Sequence, residues 1–314
     1  MAKTLIVQAA PVGEWADRYL QEHYDVIRLW QEADPLACLA QRSDATALVT
    51  SVRRGCTAEM MDRLPALRLI ASWGVGYETI DVAAASARNI RVTNTPDVLD
   101  DCVADMAWAL LLATARRIPE GDRYVKGGQW RTIGAFPLAT RVSGKRLGIL
   151  GMGRIGEAIA RRASGFDMEV RYHNRRKRND VPWGYASSLK ELAGWADFLA
   201  IACVGGPATR HLVNAEVIDA LGPKGILINI ARGSVIDQPA MLAALRDGRL
   251  GGAGLDVLDN EPAVPPELAQ MDQVSLMPHT ASATRETRRQ MEQLVIDNLE
   301  AFLQGRPLLT PVAP

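Results

Sequence analysis

The stretch Gly151-Met-Gly153-Arg-Ile-Gly156 constrains the fold of this chain more than any other segment. It follows a short apolar run, Arg146 to Leu150, and opens a helical pattern that continues to Arg162. In such a loop one glycine makes the tight turn, the next admits a pyrophosphate to the backbone, and the third lets helix and strand pack closely. A second apolar run, Glu169 to His173, follows at the spacing of a strand–helix–strand unit. We therefore predict a dinucleotide-binding parallel sheet here, rather than a plain glycine-rich turn.

The residues after that second run indicate which dinucleotide binds. They are Asn174-Arg175-Arg176-Lys177-Arg178. An acidic residue at this point bonds the ribose 2′-hydroxyl of NAD and repels the 2′-phosphate of NADP. This chain has an uncharged side chain there, followed by guanidinium groups that can bind a phosphate in bidentate fashion. NADPH is therefore the expected cofactor, with NADH possible, and Arg175 and Arg176 are the preferred contacts. A solvated basic turn or a localisation signal is the alternative interpretation.

Short apolar runs alternate with helical stretches along the chain, a pattern typical of parallel sheets covered on both faces. The predicted strands before residue 98 are Thr4 to Val7, Asp25 to Arg28, Ala47 to Thr50, Arg68 to Ala71 and Ile90 to Thr93. The predicted strands after it are Arg146 to Leu150, Glu169 to His173, Phe198 to Ala202, Gly225 to Ile230, Ala253 to Val257 and Val274 to Met277. A turn cluster at residues 94–97 places a hinge near residue 98, and a long, largely buried helix is predicted from Asp100 to Ile118. A last helix is predicted from Arg285 to Gln304 and is long enough to return across the molecule. At roughly 100–200 residues per domain, a chain of 314 residues is expected to form two domains.

The composition argues against several other classes of protein. Thirty-six Lys and Arg balance thirty-six Asp and Glu, so no overall positive field exists to gather nucleic acid. The longest apolar stretch, Val103 to Ala115, contains Asp105 and falls short of the ~18 residues of a membrane span. The four cysteines are scattered without CxxC spacing, which predicts free thiols and neither disulfides nor a metal site. We expect a cytoplasmic protein that binds no membrane, nucleic acid or metal.

Three polar side chains follow predicted strands, each at the point where the strand ends. Arg232 follows Ile230, Glu261 lies in the turn after Val257, and His279 follows Met277. Ligands bind at the carboxyl ends of strands in open α/β sheets. A guanidinium can hold a substrate carboxylate, an imidazolium can protonate a carbonyl oxygen, and a carboxylate beside the imidazole favours its protonated form. Each residue alone has a structural explanation, but together they suit hydride transfer to a 2-oxo acid.

Several further motifs follow one another along the chain. They are Trp73-Gly-Val-Gly76-Tyr77, Asn94-Thr95-Pro96, Val103-Ala104-Asp105, the glycine loop, Ala231-Arg232-Gly233, Gly254-Leu-Asp256-Val257, Asn260-Glu261-Pro262 and Pro278-His279. In this order they resemble the D-isomer-specific 2-hydroxyacid dehydrogenase family, in particular its glyoxylate/hydroxypyruvate reductase and hydroxyphenylpyruvate reductase branch. The resemblance implies an α/β fold with two doubly wound parallel-sheet domains. A Rossmann-type NADP-binding domain would span residues 99–284, and a discontinuous, flavodoxin-like substrate-binding domain would span residues 1–98 and 285–314. It also implies a homodimer. In that dimer an aromatic side chain such as Trp130 or Phe136 would either close the substrate pocket of the other subunit or pack in the core of the dimer interface.

The resemblance also implies a role for each residue that matches a family motif. Arg232 would bind the substrate, Glu261 would pair with His279, and His279 would donate the proton. The implied cofactor-binding set is Val103, Gly151, Gly153, Arg154, Ile155, Gly156, Asn174, Arg175, Arg176, Cys203, Val204, Thr209, Ile230, Ala231, Arg232, Asp256 and His279. The implied substrate-binding set is Ser51, Trp73, Gly74, Val75, Gly76, Arg232 and His279. Within these sets, the amides of Val75 and Gly76 would bind the substrate carboxylate, and Asp256 would contact the nicotinamide carboxamide.

The function expected from these observations is NADPH-dependent reduction of small 2-oxo acids, such as glyoxylate or hydroxypyruvate, to D-2-hydroxy acids. Two alternatives stay open at this point. The first is an NAD-dependent dehydrogenase with another substrate range, against which the missing acid at Asn174 argues. The second is a non-catalytic, nucleotide-sensing interaction protein of the same fold, which an intact set of Arg232, Glu261 and His279 does not exclude.

Overall fold

The computed structural model describes residues 3–313, and the chain divides into two compact units. The discontinuous unit comprises Met1–Leu99 and Ser282–Pro314, and the central unit comprises Asp100–Ala281. The predicted domain boundaries, after residues 98 and 284, fall near these positions. The division shows two units in the chain, and which ligand each of them binds stays a prediction.

The discontinuous unit is built on a five-stranded parallel sheet with the order β2-β1-β3-β4-β5. Its strands are β1 (Leu5–Gln8), β2 (Asp25–Arg28), β3 (Ala47–Ser51), β4 (Leu69–Trp73) and β5 (Arg91–Thr93). Its helices are α1 (Glu14–His23), α2 (Pro35–Ala40), α3 (Ala58–Asp62), α4 (Val82–Ala87) and, from the end of the chain, α12 (Arg285–Leu303). Hydrophobic clusters cover both faces of the sheet, and α12 packs on α1 and β4. This strand order is that of flavodoxin-like folds.

The central unit is built on a seven-stranded parallel sheet with the order β12-β11-β10-β9-β6-β7-β8. Its strands are β6 (Arg146–Leu150), β7 (Glu169–His173), β8 (Gly184–Tyr185), β9 (Phe198–Ile201), β10 (Ile226–Asn229), β11 (Gly252–Leu255) and β12 (Val274–Leu276). Its helices are α5 (Asp100–Ala115), α6 (Ile118–Lys126), α7 (Arg154–Arg162), α8 (Leu189–Trp195), α9 (Ala215–Leu221), α10 (Gln238–Arg246) and α11 (Pro266–Ala269). The chain starts at β6, moves outward to β7 and β8, and then crosses back to β9. This reversal between β6 and β9 is the topological switch point at which open α/β sheets bind their ligands.

The predicted fold class, two doubly wound parallel sheets, is confirmed. The strands read as short apolar runs because helices cover both faces of each sheet and bury side chains on either side of the strand. In β3 and β10, for example, every residue is buried.

Two predicted elements differ in the structure. The helix predicted from Asp100 to Ile118 ends at Ala115, because Arg117 adopts a left-handed backbone with φ 55° and a separate helix, α6, begins at Ile118. Pro119 lies in the first turn of α6, and the residue before a proline disfavours continued helix. The two-residue strand β8 was not predicted, since two residues are too short to show a periodicity. Within residues 3–313, no helix is both long enough and apolar enough to cross a bilayer.

Candidate active site

The carboxyl ends of six neighbouring strands in the central unit supply the predicted site residues. Because these strands are all parallel and adjacent, their ends meet at one edge of the sheet. In sheet order from β12 to β7, the residues at or just beyond these ends are His279, Asp256, Arg232, Cys203, Gly151 and Asn174. The structure therefore brings the central part of the predicted set to a single edge.

The glycine loop between β6 and α7 has the shape that a dinucleotide requires. Gly151 has φ 100°, and a Cβ there would lie 2.5 Å from the backbone nitrogen of Cys203. A Cβ on Gly156 would lie 2.1 Å from the carbonyl oxygen of Gly151, so the helix can approach the loop only with glycine there. A Cβ on Gly153 would meet no atom within 4 Å, and no side chain caps the first turn of α7. The open space at Gly153, with uncapped N–H groups beside it, fits the pyrophosphate of a dinucleotide.

The turn after β7 fits a 2′-phosphate. The side-chain oxygen of Asn174 accepts a hydrogen bond of 2.7 Å from the backbone N–H of Met152, so this side chain faces the glycine loop. Arg175, Arg176 and Lys177 are exposed, and their side chains form no ion pair with any of residues 3–313. Exposed guanidinium groups without a carboxylate partner are available to a phosphate.

Arg178, the last residue of the basic run, is engaged in holding this turn in place. Its Nη1 donates to the carbonyl oxygen of Met152 at 3.1 Å and to Glu157 at 3.0 Å, while its Nε donates to Asp180 at 2.9 Å. The hydrogen bond with Asp180 raises the pKa of Arg178 and lowers that of Asp180. The hydroxyl of Tyr172 lies 2.9 Å from both the backbone nitrogen and the backbone oxygen of Arg178. We call this set of contacts the Arg178 clamp, because it ties the basic turn to the glycine loop.

A histidine–glutamate pair lies beyond β11 and β12. Nδ1 of His279 lies 2.6 Å from Oε2 of Glu261, and Oε1 of Glu261 accepts a hydrogen bond of 3.1 Å from the backbone N–H of Leu258. Both carboxylate oxygens are thus engaged, and the imidazole has one fixed orientation. Since Nδ1 faces the glutamate, Nε2 is the nitrogen left to meet a substrate.

Asp256 positions the segment that carries the histidine. The side chain is 1% exposed, and its two oxygens accept hydrogen bonds from the backbone N–H groups of Thr280, at 2.8 Å, and Ala281, at 2.9 Å. Its carbonyl oxygen accepts the N–H of His279 at 2.8 Å, which holds His279 in a left-handed conformation with φ 55°. Sequence reasoning missed this positioning role. The predicted contact of Asp256 with the nicotinamide carboxamide stays a prediction.

Arg232 is held at the end of β10 by its neighbours. The buried side chain of Asn229 accepts the N–H of Ala231 at 3.0 Å and donates to the carbonyl oxygen of Arg232 at 2.9 Å, which fixes the turn. A Cβ on Gly205 would lie 2.6 Å from Cγ of Arg232, so the loop after β9 packs directly against the arginine. Nη1 donates to the carbonyl oxygen of Ala231 at 2.7 Å. The turn and the loop together restrict where the guanidinium can point.

The other predicted cofactor residues of the central unit differ in exposure. Val103, Ile230 and Ala231 are buried, Val204 is exposed, and burial raises the pKa of the Cys203 thiol to about 11. Arg154 and Ile155 form the first turn of α7, where Arg154 pairs with Asp100 at 3.6 Å. The hydroxyl of Thr209 lies 2.9 Å from the carbonyl oxygen of Val204 and thereby closes the loop after β9. Contacts of these residues with a cofactor stay predictions.

The remaining predicted substrate residues belong to the discontinuous unit. Ser51 is buried at the end of β3, and the guanidinium of Arg288 lies 4.4 Å from the ring centroid of Trp73. Gly74 exchanges hydrogen bonds with Thr95, and the carbonyl oxygen of Val75 accepts from Asn94 at 2.7 Å. Among the described residues, the backbone N–H groups of Val75 and Gly76 have no acceptor. These two donors are free to bind an anion, and their role toward a substrate stays a prediction.

A doubly wound sheet with this glycine loop, and with an arginine and a histidine–glutamate pair at the same edge, defines a nicotinamide-dinucleotide-dependent oxidoreductase. Residues 108–281 match the sequence profile of the D-isomer specific 2-hydroxyacid dehydrogenase, NAD binding domain. The chain is 46% identical over 308 residues to a hydroxyphenylpyruvate reductase of Plectranthus scutellarioides, with 98% of each chain covered. The chain belongs to the D-isomer-specific 2-hydroxyacid dehydrogenase family, as the sequence motifs predict.

Two solved structures show how closely the fold follows this family. A 2-hydroxyacid dehydrogenase from Ketogulonicigenium vulgare Y25 superposes with a TM-score of 0.94 at 44% identity, covering 100% of this chain and 99% of that one. An NADPH-dependent glyoxylate/hydroxypyruvate reductase from Sinorhizobium meliloti, solved in complex with NADP and malonate, superposes with a TM-score of 0.92 at 41% identity. That match covers 99% of this chain and 97% of the other.

Proposed function

We propose that this enzyme reduces small 2-oxo acids, such as glyoxylate or hydroxypyruvate, to D-2-hydroxy acids with NADPH as the cofactor. The observation that carries the proposal is the 2.6 Å contact between Nδ1 of His279 and Glu261, which leaves Nε2 to serve as an acid. Asn174 and the exposed Arg175 and Arg176 support NADPH as the cofactor. The Sinorhizobium meliloti relative, which is NADPH-dependent and was solved with a small dicarboxylate, supports the substrate class.

In the proposed reaction each residue has a separate task. The guanidinium of Arg232 binds the substrate carboxylate and draws electron density from the adjacent carbonyl. When bound, NADPH supplies a hydride to the carbonyl carbon. Protonated Nε2 of His279 donates its proton to the carbonyl oxygen, which becomes the 2-hydroxyl group. Glu261 stabilises the imidazolium before the transfer and keeps the neutral imidazole oriented after it.

The residues that would hold NADPH come from three segments of the central unit. The glycine loop and the first turn of α7 would bind the pyrophosphate through backbone N–H groups. Arg175 and Arg176 would bind the 2′-phosphate, and the loop after β9 would lie along the cofactor. An NAD-dependent enzyme would be expected to have an acidic side chain where Asn174 accepts the N–H of Met152.

Initial rates of cofactor oxidation test the proposed function. Purified protein is assayed with NADPH and with NADH against glyoxylate, hydroxypyruvate, pyruvate, phenylpyruvate and 2-ketogluconate. We expect the highest kcat/KM with NADPH as the cofactor and either glyoxylate or hydroxypyruvate as the substrate. Fast turnover with NADH alone would favour the NAD-dependent alternative, and NADPH binding without turnover of any acid would favour the nucleotide-sensing alternative.

The Glu261→Gln variant tests the pairing with His279. Glutamine keeps an acceptor for Nδ1 but removes the negative charge that favours the imidazolium, and reduction needs the imidazolium. We expect kcat/KM for reduction to begin falling at a lower pH than in the native enzyme. The measurement is the pH dependence of kcat/KM with saturating NADPH.

Glu267→Gln provides the control for this variant, because Glu267 lies on α11 and its carboxylate faces Arg246 at 3.8 Å. Its pH profile should coincide with that of the native enzyme. If the Glu261→Gln profile coincides as well, Glu261 does not act on the protonation of His279.

We also propose that the enzyme is a homodimer whose subunits meet through α6 and residues 127–133 of the loop after it. Large apolar side chains stand exposed along this segment, with Val125 at 53%, Trp130 at 63% and Ile133 at 92% exposure. Large exposed apolar side chains grouped in one segment are expected where two protein surfaces meet. Phe136 packs on Tyr124 within its own chain, with ring centroids 5.3 Å apart, so Trp130 is the better candidate to reach the other subunit.

Sedimentation velocity tests the dimer. The native enzyme should sediment as a dimer at micromolar concentration, and Ile133→Asp should shift it toward the monomer by placing a charge in the interface. Val204→Asp, which changes an exposed apolar residue outside this segment, is the control. A native enzyme that sediments as a monomer would contradict the proposal.

The predicted cytoplasmic location stays a prediction.

A further inference from the structure

A cleft of about 520 Å³ opens at the amino ends of the strands in the central unit, opposite the edge that carries the candidate active site. We call it the amino-end cleft, and its polar lining consists of Thr140, Arg141, Lys145, Asp197 and Lys224. The volume falls within the range of roughly 300–1,000 Å³ that is typical of small-molecule sites. Because β6 is five residues long, the cleft and the glycine loop are separated by about 16 Å along that strand.

The lining of the amino-end cleft contains three basic side chains and one acidic side chain. The side chains of Arg141, Lys145 and Lys224 form no ion pair or hydrogen bond with any other residue in the range 3–313. The lining has a single acid, Asp197, whose carboxylate accepts hydrogen bonds from the backbone N–H of Arg146 at 2.9 Å and from its Nε at 3.3 Å. Burial raises the pKa of Asp197, but the hydrogen bonds and charge of Arg146, with a smaller contribution from the charge of Lys145, outweigh burial and lower the pKa overall. Asp197 is therefore ionised and already engaged.

Elsewhere in the central unit most cations have a carboxylate partner. Arg162 lies 2.8 Å from Asp105, for example, and Lys126 lies 2.9 Å from Asp122. Unpaired cations stand together at two places, the turn at residues 175–177 and the amino-end cleft. The first group is accounted for by the phosphate of the proposed cofactor. The second group lies at the other end of the strands, where that cofactor does not reach.

Three like charges around one cleft repel one another, and a bound anion removes that repulsion. The planar guanidinium of Arg141 can bind a phosphate or carboxylate in bidentate fashion, and the two ammonium groups act as point charges. The hydroxyl of Thr140 adds a neutral donor at the same cleft. We propose that the amino-end cleft is a second ligand site, specific for a small molecule that carries at least two negative charges as phosphate or carboxylate groups.

Calorimetric titration with pyrophosphate and, separately, with citrate tests the proposal. All titrations contain saturating NADP⁺ and glyoxylate, so that the glycine loop, the basic turn and the proposed substrate-binding residues are not available to the probe. We expect the native enzyme to bind at least one probe, and the double variant Arg141→Gln/Lys224→Gln to bind it at least about tenfold more weakly. The double variant should retain the native kcat, since neither residue lies at the catalytic edge.

The matched control is Arg246→Gln/Lys190→Gln, which removes one arginine and one lysine from exposed positions on α10 and α8 of the same unit. It should bind the probe within about threefold of the native affinity, because its charges lie outside the cleft. If the Arg141→Gln/Lys224→Gln variant loses affinity for pyrophosphate alone, the ligand is a phosphate compound. If this variant loses affinity for citrate alone, the ligand is a polycarboxylate. The proposal is overturned if neither probe binds the native enzyme, if the control loses affinity equally, or if binding is the same in the Arg141→Gln/Lys224→Gln variant.

Discussion

The His279→Ala variant is expected to lose about two to four orders of magnitude in kcat for reduction of its 2-oxo acid. The loss follows from the geometry, because alanine removes the imidazole whose Nδ1 is bonded to Glu261 and whose Nε2 remains to donate a proton. The Kd for NADPH should change much less than kcat. The measurement is single-turnover reduction with NADPH, followed at the absorbance of the reduced nicotinamide, together with fluorescence titration of the cofactor.

His23→Ala is the matched control for this variant. His23 ends α1 in the discontinuous unit, and its Nδ1 lies 2.9 Å from the carbonyl oxygen of Tyr19. This variant should keep the native kcat. A comparable loss of kcat in His23→Ala and His279→Ala would indicate a general loss of folded enzyme and not the loss of a proton donor. A His279→Ala enzyme with near-native kcat would rule out His279 as the proton donor.

The second large effect concerns the cofactor. We expect the Arg175→Ala/Arg176→Ala variant to bind NADPH about 10- to 100-fold more weakly while its Kd for NADH changes less than about threefold. Only NADPH carries the 2′-phosphate, so removing the two arginines that bind this group should raise the Kd of NADPH and leave that of NADH nearly unchanged. The affinity for NADPH should also depend on ionic strength in the native enzyme and much less so in the variant. Fluorescence titrations with both cofactors at two salt concentrations measure each of these effects.

Arg246→Ala/Arg249→Ala is the control, since it removes two arginines from another part of the central unit, where both pair with acids. Equal losses of NADPH and NADH affinity in the Arg175→Ala/Arg176→Ala variant would refute specific binding of the phosphate. Asn174→Asp gives an independent check. Aspartate retains an oxygen to accept the N–H of Met152, and its charge repels a 2′-phosphate, so preference should move toward NADH.

The sequence predicted the fold well because its elements are marked locally. A buried parallel strand shows as an apolar run of four to five residues, as in β3, β6 and β10. The break between α5 and α6 was missed because the apolar pattern continues through it, although Pro119 marks the position. A segment that is apolar on all sides is predicted to be buried, but this pattern does not indicate whether the backbone stays helical at Arg117.

The candidate site could be predicted only in part. Gly151, Arg232 and His279 follow strand ends, and the carboxyl ends of parallel strands always meet. The supporting contacts of Asp256 and Arg178 were not predictable in this way. Asp256 bonds to residues 24 and 25 positions later, and Arg178 bonds to Met152, 26 positions earlier. Nothing in a local pattern specifies which distant backbone group such a side chain meets.

The Arg178 clamp separates two tasks that one basic turn must perform. Arg178 anchors the turn through Met152, Glu157 and Asp180, whereas the side chains of Arg175, Arg176 and Lys177 are exposed and form no ion pair within residues 3–313. Mutation can therefore change the three exposed positions without unfolding the loop they stand on. In the course of evolution or of engineering, an enzyme that keeps this anchor can therefore gain or lose binding of the 2′-phosphate through changes at the exposed positions.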